Sequence, residues 1–147
     1  MQVNLLAPMR LSNLFIPDMI ARQKGHLVNI SSILGWVGTA GRAPYTASKF
    51  GLRGFGEALH QELKPYNIKV TNVYPFFSRT PILDVPQYGT LPRKTLPDKL
   101  VTDPADVIRE VMKGIRQDKL HLFPDKTAKR IHIIKRFMPW ALPYLNR

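Results

Sequence analysis

The sequence predicts a single α/β domain built around a short parallel sheet, and three observations support this fold class. Segments with helical spacing of apolar residues alternate along the chain with short runs rich in β-branched residues. Such alternation is typical of strand-helix-strand units, whose helices cover a parallel sheet. With 147 residues, of which 44% are hydrophobic, the chain can bury one core and is too apolar for disorder. We therefore expect a three-layer α/β/α arrangement with right-handed crossovers.

The first two predicted elements are a helix over residues 3–23 and a strand from Leu27 to Ser31. Apolar residues recur at helical spacing through the first segment, and Pro8 and Pro17 should bend it. The strand is a short apolar run that ends before a glycine-bearing loop.

The next two predicted elements are a helix over residues 44–64 and a strand from Ile68 to Tyr74. Pro44 suits the first turn of this helix, and Pro65 marks its end. The strand is rich in β-branched residues, as is typical of strands buried in parallel sheets. Apolar residues at spacings of three and four form the buried stripe of the helix, namely Leu52, Phe55, Leu59 and Leu63.

Residues 75–102 form a long segment that is too rich in proline for regular structure. Asp103 and Pro104 then cap a third helix that reaches about Gln117. The run from Leu120 to Phe123 predicts the last strand. The chain therefore reads as strand, helix, strand, helix, strand after its first helix.

A tyrosine and a lysine stand four residues apart at the start of the second helix, at positions 45 and 49. Residues at this spacing share one helix face, and an ammonium beside a phenol favours the phenolate. Ser32 ends the preceding strand, where its hydroxyl can hydrogen-bond a substrate oxygen. Together the three groups suit proton transfer to a carbonyl or from an alcohol. The alternative is an exposed helix pair and a serine bonded to backbone.

The surroundings of these residues resemble the short-chain dehydrogenase/reductase family. Ser32 lies thirteen residues before Tyr45 and ends the run Asn-Ile-Ser-Ser, while Pro44 directly precedes the tyrosine and Ala-Ser fills the gap before Lys49. The segment Val3-Asn4-Leu5 is similar to the asparagine helix of that family. The resemblance implies a partial Rossmann-like fold that contains the fifth, sixth and seventh family strands with their helices.

The resemblance also implies a role for each residue of the motif. Tyr45 would be the general acid when a carbonyl is reduced and the base when an alcohol is oxidised. Lys49 would support the tyrosine and hydrogen-bond the nicotinamide ribose, and Ser32 would polarise the substrate oxygen. Asn4 would hold a water in the proton relay, although an asparagine near a helix start is also a common cap.

The segment after the next strand resembles the part of the family that meets the nicotinamide. Pro75 matches the residue packed near that ring, and Thr80 matches the threonine that hydrogen-bonds the carboxamide. The family usually has glycine after this proline, whereas this chain has Phe76 and then Phe77. We expect these two rings to line the substrate pocket, and the alternative is that they are core aromatics.

The resemblance implies NAD or NADP as cofactor and a small ketone, aldehyde or alcohol as substrate. The glycine-rich turn that receives the cofactor pyrophosphate in the family does not occur in residues 1–147, so we expect a truncated family domain. Its first strand would then need cover from a homo-oligomer or a complementing chain. The alternative is an inactive binding or dimerisation module that pairs through helices 3–23 and 44–64.

Composition excludes several other kinds of site. The chain has no cysteine, which excludes disulfides and thiolate sites and is compatible with the cytoplasmic location that we expect. Its four histidines lack metal-ligand spacing, so no metal site is predicted. The net charge is +12, but no nucleic-acid reader motif accompanies it, so we do not expect nucleic acid as a partner.

The positive charge concentrates in the C-terminal third, where residues 124–147 form a basic segment. Apolar residues interleave with the cations in a pattern that predicts an amphipathic helix ending at Pro139. Such a segment can lie on an anionic membrane surface, which would make the protein peripheral to a membrane, or close over the substrate cleft. The alternative is a solvated basic face over an apolar core stripe.

Overall fold

A computed structural model describes residues 1–83 and 97–142 of the chain. The N-terminal half contains a π-helical turn at Gln2–Leu6, followed by α1 at Ala7–Ala21, β1 at Gly25–Ile30, α2 at Ala43–Leu63 and β2 at Ile68–Val73. The C-terminal half contains β3 at Phe77–Ser78, β4 at Val101–Thr102, α3 at Pro104–Arg116, β5 at His121–Leu122 and α4 at Lys126–Phe137.

The main sheet has three parallel strands in the order β1-β2-β5. Gly25 pairs with Ile68, and the register continues to the pair formed by Ile30 and Val73. β5 is shorter and pairs only with the end of β2, where Val73 faces Leu122. Within residues 1–83 and 97–142, no strand pairs with the outer edge of β1.

Helices cover both faces of this sheet, which confirms the predicted three-layer, Rossmann-like arrangement. Leu59 of α2 belongs to one buried cluster with Ile68 and Val70 of β2, and residues of α1 pack against that cluster. Val73 faces the other side of the sheet and packs with Val107 of α3. The alternation of side chains along β2 therefore separates two apolar layers.

The two crossovers of the sheet have opposite handedness, so the prediction of right-handed connections throughout is wrong for one of them. The strand order advances in one direction from β1 to β5, yet α2 and α3 lie on opposite faces. A change of face without a change of direction reverses the hand of a strand-helix-strand unit. The second unit contains the long segment between Tyr74 and Asp103, so no short connection holds its helix to the face that α2 covers.

The predicted irregular segment at 75–102 contains a short parallel strand pair. Phe77 pairs with Val101, and Ser78 pairs with Thr102. None of the four paired residues is a proline, which explains how regular pairing survives in a proline-rich segment. Positions 84–96 of this predicted substrate loop lie outside the described residues, as do positions 143–147 of the basic segment.

The first helix also differs in detail from its prediction. Pro8 lies in the first turn of α1, and the chain directly before α1 adopts the wider π-helical turn. Pro17 lies inside α1 and the helix continues past it to Ala21. The apolar periodicity therefore predicts a helix in this region, but it does not predict the change from π-helical to α-helical geometry at Ala7.

Candidate active site

The carboxyl ends of β1 and β2 meet at the place where the sequence puts its candidate residues. The amide of Ser31 donates to the carbonyl of Val73, and the amide of Ile33 donates to the carbonyl of Pro75, both at 2.9 Å. Ser32 and Pro75 therefore lie on neighbouring segments at one edge of the sheet. In open α/β sheets this edge is where ligands bind.

Tyr45 and Lys49 lie in the first turns of α2, close to this edge. The Lys49 Nζ is 5.7 Å from the centroid of the Tyr45 ring. The same ammonium donates a hydrogen bond to the carbonyl of Ile30, the last residue of β1, at 3.0 Å. Burial lowers the pKa of Lys49 from its ordinary value of 10.5. The lysine thus lies between the phenol and the end of the strand.

Ser32 is buried directly after β1. Its Oγ accepts a hydrogen bond from the amide of Leu34 at 3.1 Å and so caps a short 3₁₀ turn. Because the oxygen is the acceptor in this bond, the hydroxyl proton can be donated to another group. Tyr45 packs against the cluster that contains Ile33 and Leu34, so the phenol and the serine share one neighbourhood.

The neighbouring Ser31 fixes the loop to α2. Its hydroxyl donates to the backbone carbonyl of Lys49 at 3.1 Å. Gly35 allows this close approach of the loop to α2, since a Cβ added at Gly35 would come within 2.8 Å of the Lys49 carbonyl oxygen. Sequence reasoning missed both roles, although a glycine in the loop between the two motifs was a usable signal for a close backbone approach.

Asn4 lies in the π-helical turn and reaches α2 through a serine. Its Nδ2 donates to the Ser48 Oγ at 3.3 Å, and that hydroxyl donates to the carbonyl of Tyr45 at 2.6 Å. Gly51 leaves space for Leu5 of the same turn, because a Cβ there would lie 2.9 Å from the leucine side chain. π-Helical turns occur frequently at functional sites. This turn holds the asparagine beside the helix of the tyrosine.

The segment after β2 places its two phenylalanines edge to face, with ring centroids 4.7 Å apart. Phe76 packs against the buried cluster that Tyr45 also contacts, whereas Phe77 is half-buried in β3. Thr80 has a local contact, in which its hydroxyl donates to the carbonyl of Ser78 at 3.4 Å. Phe76 and Tyr45 therefore pack against the same buried cluster.

Asp125 is a buried carboxylate that sequence reasoning overlooked. One of its oxygens accepts from the amide of Ala128 at 2.7 Å and caps α4, and the other accepts from the amide of Phe76 at 2.8 Å. The side chain is only 7% exposed. It joins α4 to the segment that begins at Pro75, and the separation of 49 positions between Asp125 and Phe76 explains why local sequence patterns do not predict this contact.

A second unpredicted feature is a network of aromatic and charged side chains around Tyr74, in which Tyr74 is buried and the other members are half-buried. The Tyr74 hydroxyl lies 2.9 Å from His121, whose other ring nitrogen lies 3.5 Å from Glu57. Glu57 pairs with Arg53 at 2.6 Å, and that guanidinium lies 3.9 Å from the centroid of the Trp36 ring. Burial raises the pKa of Tyr74 and lowers that of His121, so both side chains are held neutral.

The donors at this edge fit the nicotinamide-ribose end of a dinucleotide. Lys49 offers an ammonium with donors beyond the one that Ile30 receives, and a ribose presents hydroxyl acceptors. The neighbouring segments contribute a proline and two aromatic rings, which suit a flat nicotinamide ring. In the described part of the chain, no three acidic, histidine or cysteine side chains gather as a metal site would require.

Comparison with known proteins identifies the family of the chain. The family model of the short chain dehydrogenases matches residues 1–86. Mouse epidermal retinol dehydrogenase 2 is 36% identical over 142 residues, which cover 93% of this chain and 44% of that protein. The 3-ketodihydrosphingosine reductase of Dictyostelium discoideum is 35% identical over 139 residues, covering 88% of this chain and 40% of that protein.

A solved structure agrees with the fold. A short-chain dehydrogenase from Burkholderia cenocepacia, solved in complex with NADP, superposes with a TM-score of 0.81 at 21% identity, over 98% of this chain and 56% of that chain. This chain spans less than half the length of the two curated relatives described above. The family match covers more than half of the sequence, and the chain therefore belongs to the short-chain dehydrogenase family.

Proposed function

We propose that this chain provides the proton-transfer residues of an NAD- or NADP-dependent oxidoreductase that interconverts an alcohol with a ketone or aldehyde. The observation that carries the proposal is the position of the Lys49 ammonium, 5.7 Å from the Tyr45 ring and bonded to the end of β1. The family consists of oxidoreductases, and solved members bind NADP. The dinucleotide supplies or accepts the hydride when it is bound.

Each residue has a role that its contacts support. Tyr45 donates a proton to the oxygen of a carbonyl substrate and removes one from an alcohol. Lys49 keeps positive charge beside the phenol and holds the ribose, because its half-buried ammonium keeps donors for a second partner. Ser32 directs its hydroxyl proton to the substrate oxygen. Asn4 positions a water, and its hydrogen bond to Ser48 holds the π-helical turn against α2.

We propose an apolar, lipid-like substrate for this site. Phe76 and Phe77 stand where the family usually has a glycine and its neighbour, and the two rings meet edge to face beside Pro75. Aromatic walls favour apolar substrates, and a few polar groups then orient the reacting oxygen. One relative is named for retinol and another for 3-ketodihydrosphingosine, and both molecules are lipids in which a long hydrocarbon part adjoins the oxygen function.

The test combines cofactor binding with turnover by the purified protein. We expect NADH or NADPH fluorescence to change on binding, and we expect turnover of a panel of apolar alcohols and ketones. Tyr45→Phe should lower kcat at least about a hundredfold, since general acid-base catalysis contributes at least that factor, while cofactor binding persists. The matched control is Tyr66→Phe at an exposed position after α2, which should retain full turnover. Equal turnover by the Tyr45→Phe protein would refute the proposal.

A binding or dimerisation module is the second candidate, and an exposed apolar surface favours it. Leu11, Leu14 and Phe15 of α1 are largely exposed, as is Ile30 at the end of β1, beside the strand edge that lacks a partner in the described part of the chain. A second copy or a complementing chain would bury these groups. Light scattering over a range of concentrations measures self-association, with Leu14→Glu as the disrupting variant. Association without cofactor binding or turnover would favour this candidate over the enzyme.

A further inference from the structure

We propose that the outer face of α4 and the turn after it bind an anionic membrane surface. Four large apolar side chains are exposed there: Ile133 at 53%, Phe137 at 70%, Met138 at 43% and Trp140 at 70%. Soluble surfaces rarely expose several large apolar groups in one contiguous patch without a partner. We call this set, together with the cations Lys126, Arg130 and Arg136, the basic-aromatic surface.

The basic-aromatic surface belongs to a helix that is firmly packed on its other side. Ala128 is buried, and Ile131 packs against the cluster that also contains Tyr74 and Phe123. The Lys135 ammonium donates to the backbone carbonyl of Trp36, which ties the last turn of α4 to the loop before α2. The exposed aromatic groups are therefore held in place by the fold rather than left over from an unpacked terminus.

The exposed residues of the basic-aromatic surface are spaced so that they lie on one side of α4. Arg130, Ile133 and Phe137 follow at intervals of three and four, so they project from one side of α4. Trp140 continues from the 3₁₀ turn at Pro139–Ala141. A helix of this length extends about 18 Å, enough to lie along a membrane surface. No helix in the described part of the chain is long and apolar enough to cross a bilayer.

Charge decides which partner the surface fits. From position 125 to 140 the sequence has five cations and one carboxylate, and that carboxylate is the buried cap Asp125. Lys129 has an acidic neighbour in Glu110 at 3.6 Å. Among the described ion pairs none involves Lys126, Arg130 or Arg136, so these cations face outward without acidic partners. Anionic phospholipid headgroups carry the negative charge that these cations lack as a partner within the described part of the chain.

The aromatic residues favour a membrane over other polyanions. Trp is enriched where apolar and aqueous phases meet, because its ring is apolar and its N–H is polar. Phe137 and Ile133 are apolar groups of the kind that insert between headgroups when an amphipathic helix lies in the interface. The exposed apolar face of α1 carries no comparable group of cations, since α1 contains only Arg10 and Asp18 as charged residues. α3 also exposes Ile108 and Met112, but Arg109 and Lys113 beside them pair with Asp106 and Glu110. In the described part of the chain, the α4 surface combines exposed apolar groups with three cations that form no described ion pair.

The first test measures sedimentation of the purified protein with two kinds of vesicle. We expect binding to vesicles of equal parts phosphatidylcholine and phosphatidylserine at low salt, and little binding to pure phosphatidylcholine. The double variant Arg130→Gln and Arg136→Gln should weaken binding roughly thirtyfold, because each basic residue near an anionic surface contributes roughly fivefold to the affinity. Phe137→Ser with Trp140→Ser should weaken it as well. Leu14→Ser with Phe15→Ser on α1 is the matched control and should bind like the original protein.

The second test follows the fluorescence of Trp140 in a Trp36→Phe background. Emission should shift to shorter wavelength with the phosphatidylserine vesicles and stay unchanged with pure phosphatidylcholine. Absence of binding, or binding that ignores both α4 variants, would overturn the proposal. So would displacement from vesicles by a short DNA duplex that the protein binds more tightly. The redox assay contains no vesicles, so its failure and the failure of membrane binding are separate results.

Discussion

The carboxylate of Asp125 accepts a hydrogen bond from the amide of Phe76 at 2.8 Å, and this bond joins the start of α4 to the segment that leaves β2. The two residues are 49 positions apart in the sequence but are in contact in the fold. Their contact brings the C-terminal helix to the same edge of the sheet as Pro75 and the turn of Ser32.

Replacing this carboxylate should cost more than replacing an ordinary helix cap. Asp125→Ala removes two hydrogen bonds and leaves the buried amide of Ala128 and the partly buried amide of Phe76 without their acceptor, so we expect a loss of about 2–4 kcal/mol in the free energy of unfolding. The matched control is Asp103→Ala, which removes the exposed cap of α3 and its single bond to Ala105. That change should cost about 1 kcal/mol. Urea unfolding measures both, and equal losses would contradict the assigned role of Asp125.

Two glycines of α2 should respond oppositely to the same substitution. A Cβ at Gly56 would lie 2.7 Å from the Asn29 Nδ2 and would also crowd Asn72, so Gly56→Ala should destabilise the protein by about 1–3 kcal/mol. Gly54 is exposed in the same helix and has no neighbour within 4 Å of an added Cβ. Gly54→Ala should therefore stabilise by about 0.5–1 kcal/mol. Thermal unfolding compares the pair, and the same sign for both would show that α2 does not contact the sheet at Gly56.

Ser48 should link the N-terminal turn to the helix of Tyr45. Ser48→Ala removes the acceptor of the Asn4 amide and a donor to the Tyr45 carbonyl, and we expect it to cost about 1–2 kcal/mol. Hydrogen exchange should show faster exchange at residues 2–6 than in the original protein. Ser12→Ala in the middle of α1 is a comparison at another buried serine, and it should leave exchange at residues 2–6 unchanged. Unchanged exchange in the Ser48 variant would mean that the turn is held by other contacts.

Stability should fall as the pH drops through the ordinary histidine value of 6.5. Burial lowers the pKa of His26 and of His121 in the folded protein, so the unfolded chain takes up protons first. The stabilising effect of the neutral form is complete above 6.5 and is lost progressively below it, down to the folded pKa values. The upper end of this window, at the ordinary histidine value, lies above the range near 4 in which carboxylates titrate.

Urea unfolding on both sides of that value provides the measurement. The combined variant His26→Asn and His121→Asn should show a smaller fall in unfolding free energy over the same interval, since asparagine does not titrate. An original protein whose stability is constant through this interval would show that the two histidines are protonated equally in both states. A fall that persists undiminished in the variant would assign it to other groups.

The sequence predicted the elements that depend on local spacing. The bounds of α2 lie within one residue of the predicted 44–64, because the apolar stripe and Pro44 both act over one or two turns. Tyr45 and Lys49 were predicted to be neighbours for the same reason, and the structure places them together. The pairing of β3 with β4 and the face covered by α3 depend on contacts between distant positions, which no local pattern contains.

The same distinction applies to the candidate site. Ser32, Asn4 and Pro75 were selected by their similarity to a family, whereas two of the contacts that fix the neighbouring segments are made by Ser31 and Asp125, to which the sequence assigned no role. Ser31 binds the backbone of α2 and Asp125 binds the backbone after β2. A contact with a backbone atom does not require a particular residue type at a particular spacing, so the sequence pattern does not predict the roles of Ser31 and Asp125.

Because Tyr45 and Lys49 belong to one helix, the distance between them is inherited from the pitch of α2. The aromatic residues after β2 belong to a different, separately anchored stretch. Evolution or protein engineering can therefore rebuild the wall that selects the reactant while the proton-handling pair keeps its spacing. That separation makes Phe76 and Phe77 the natural positions for redesigning selectivity.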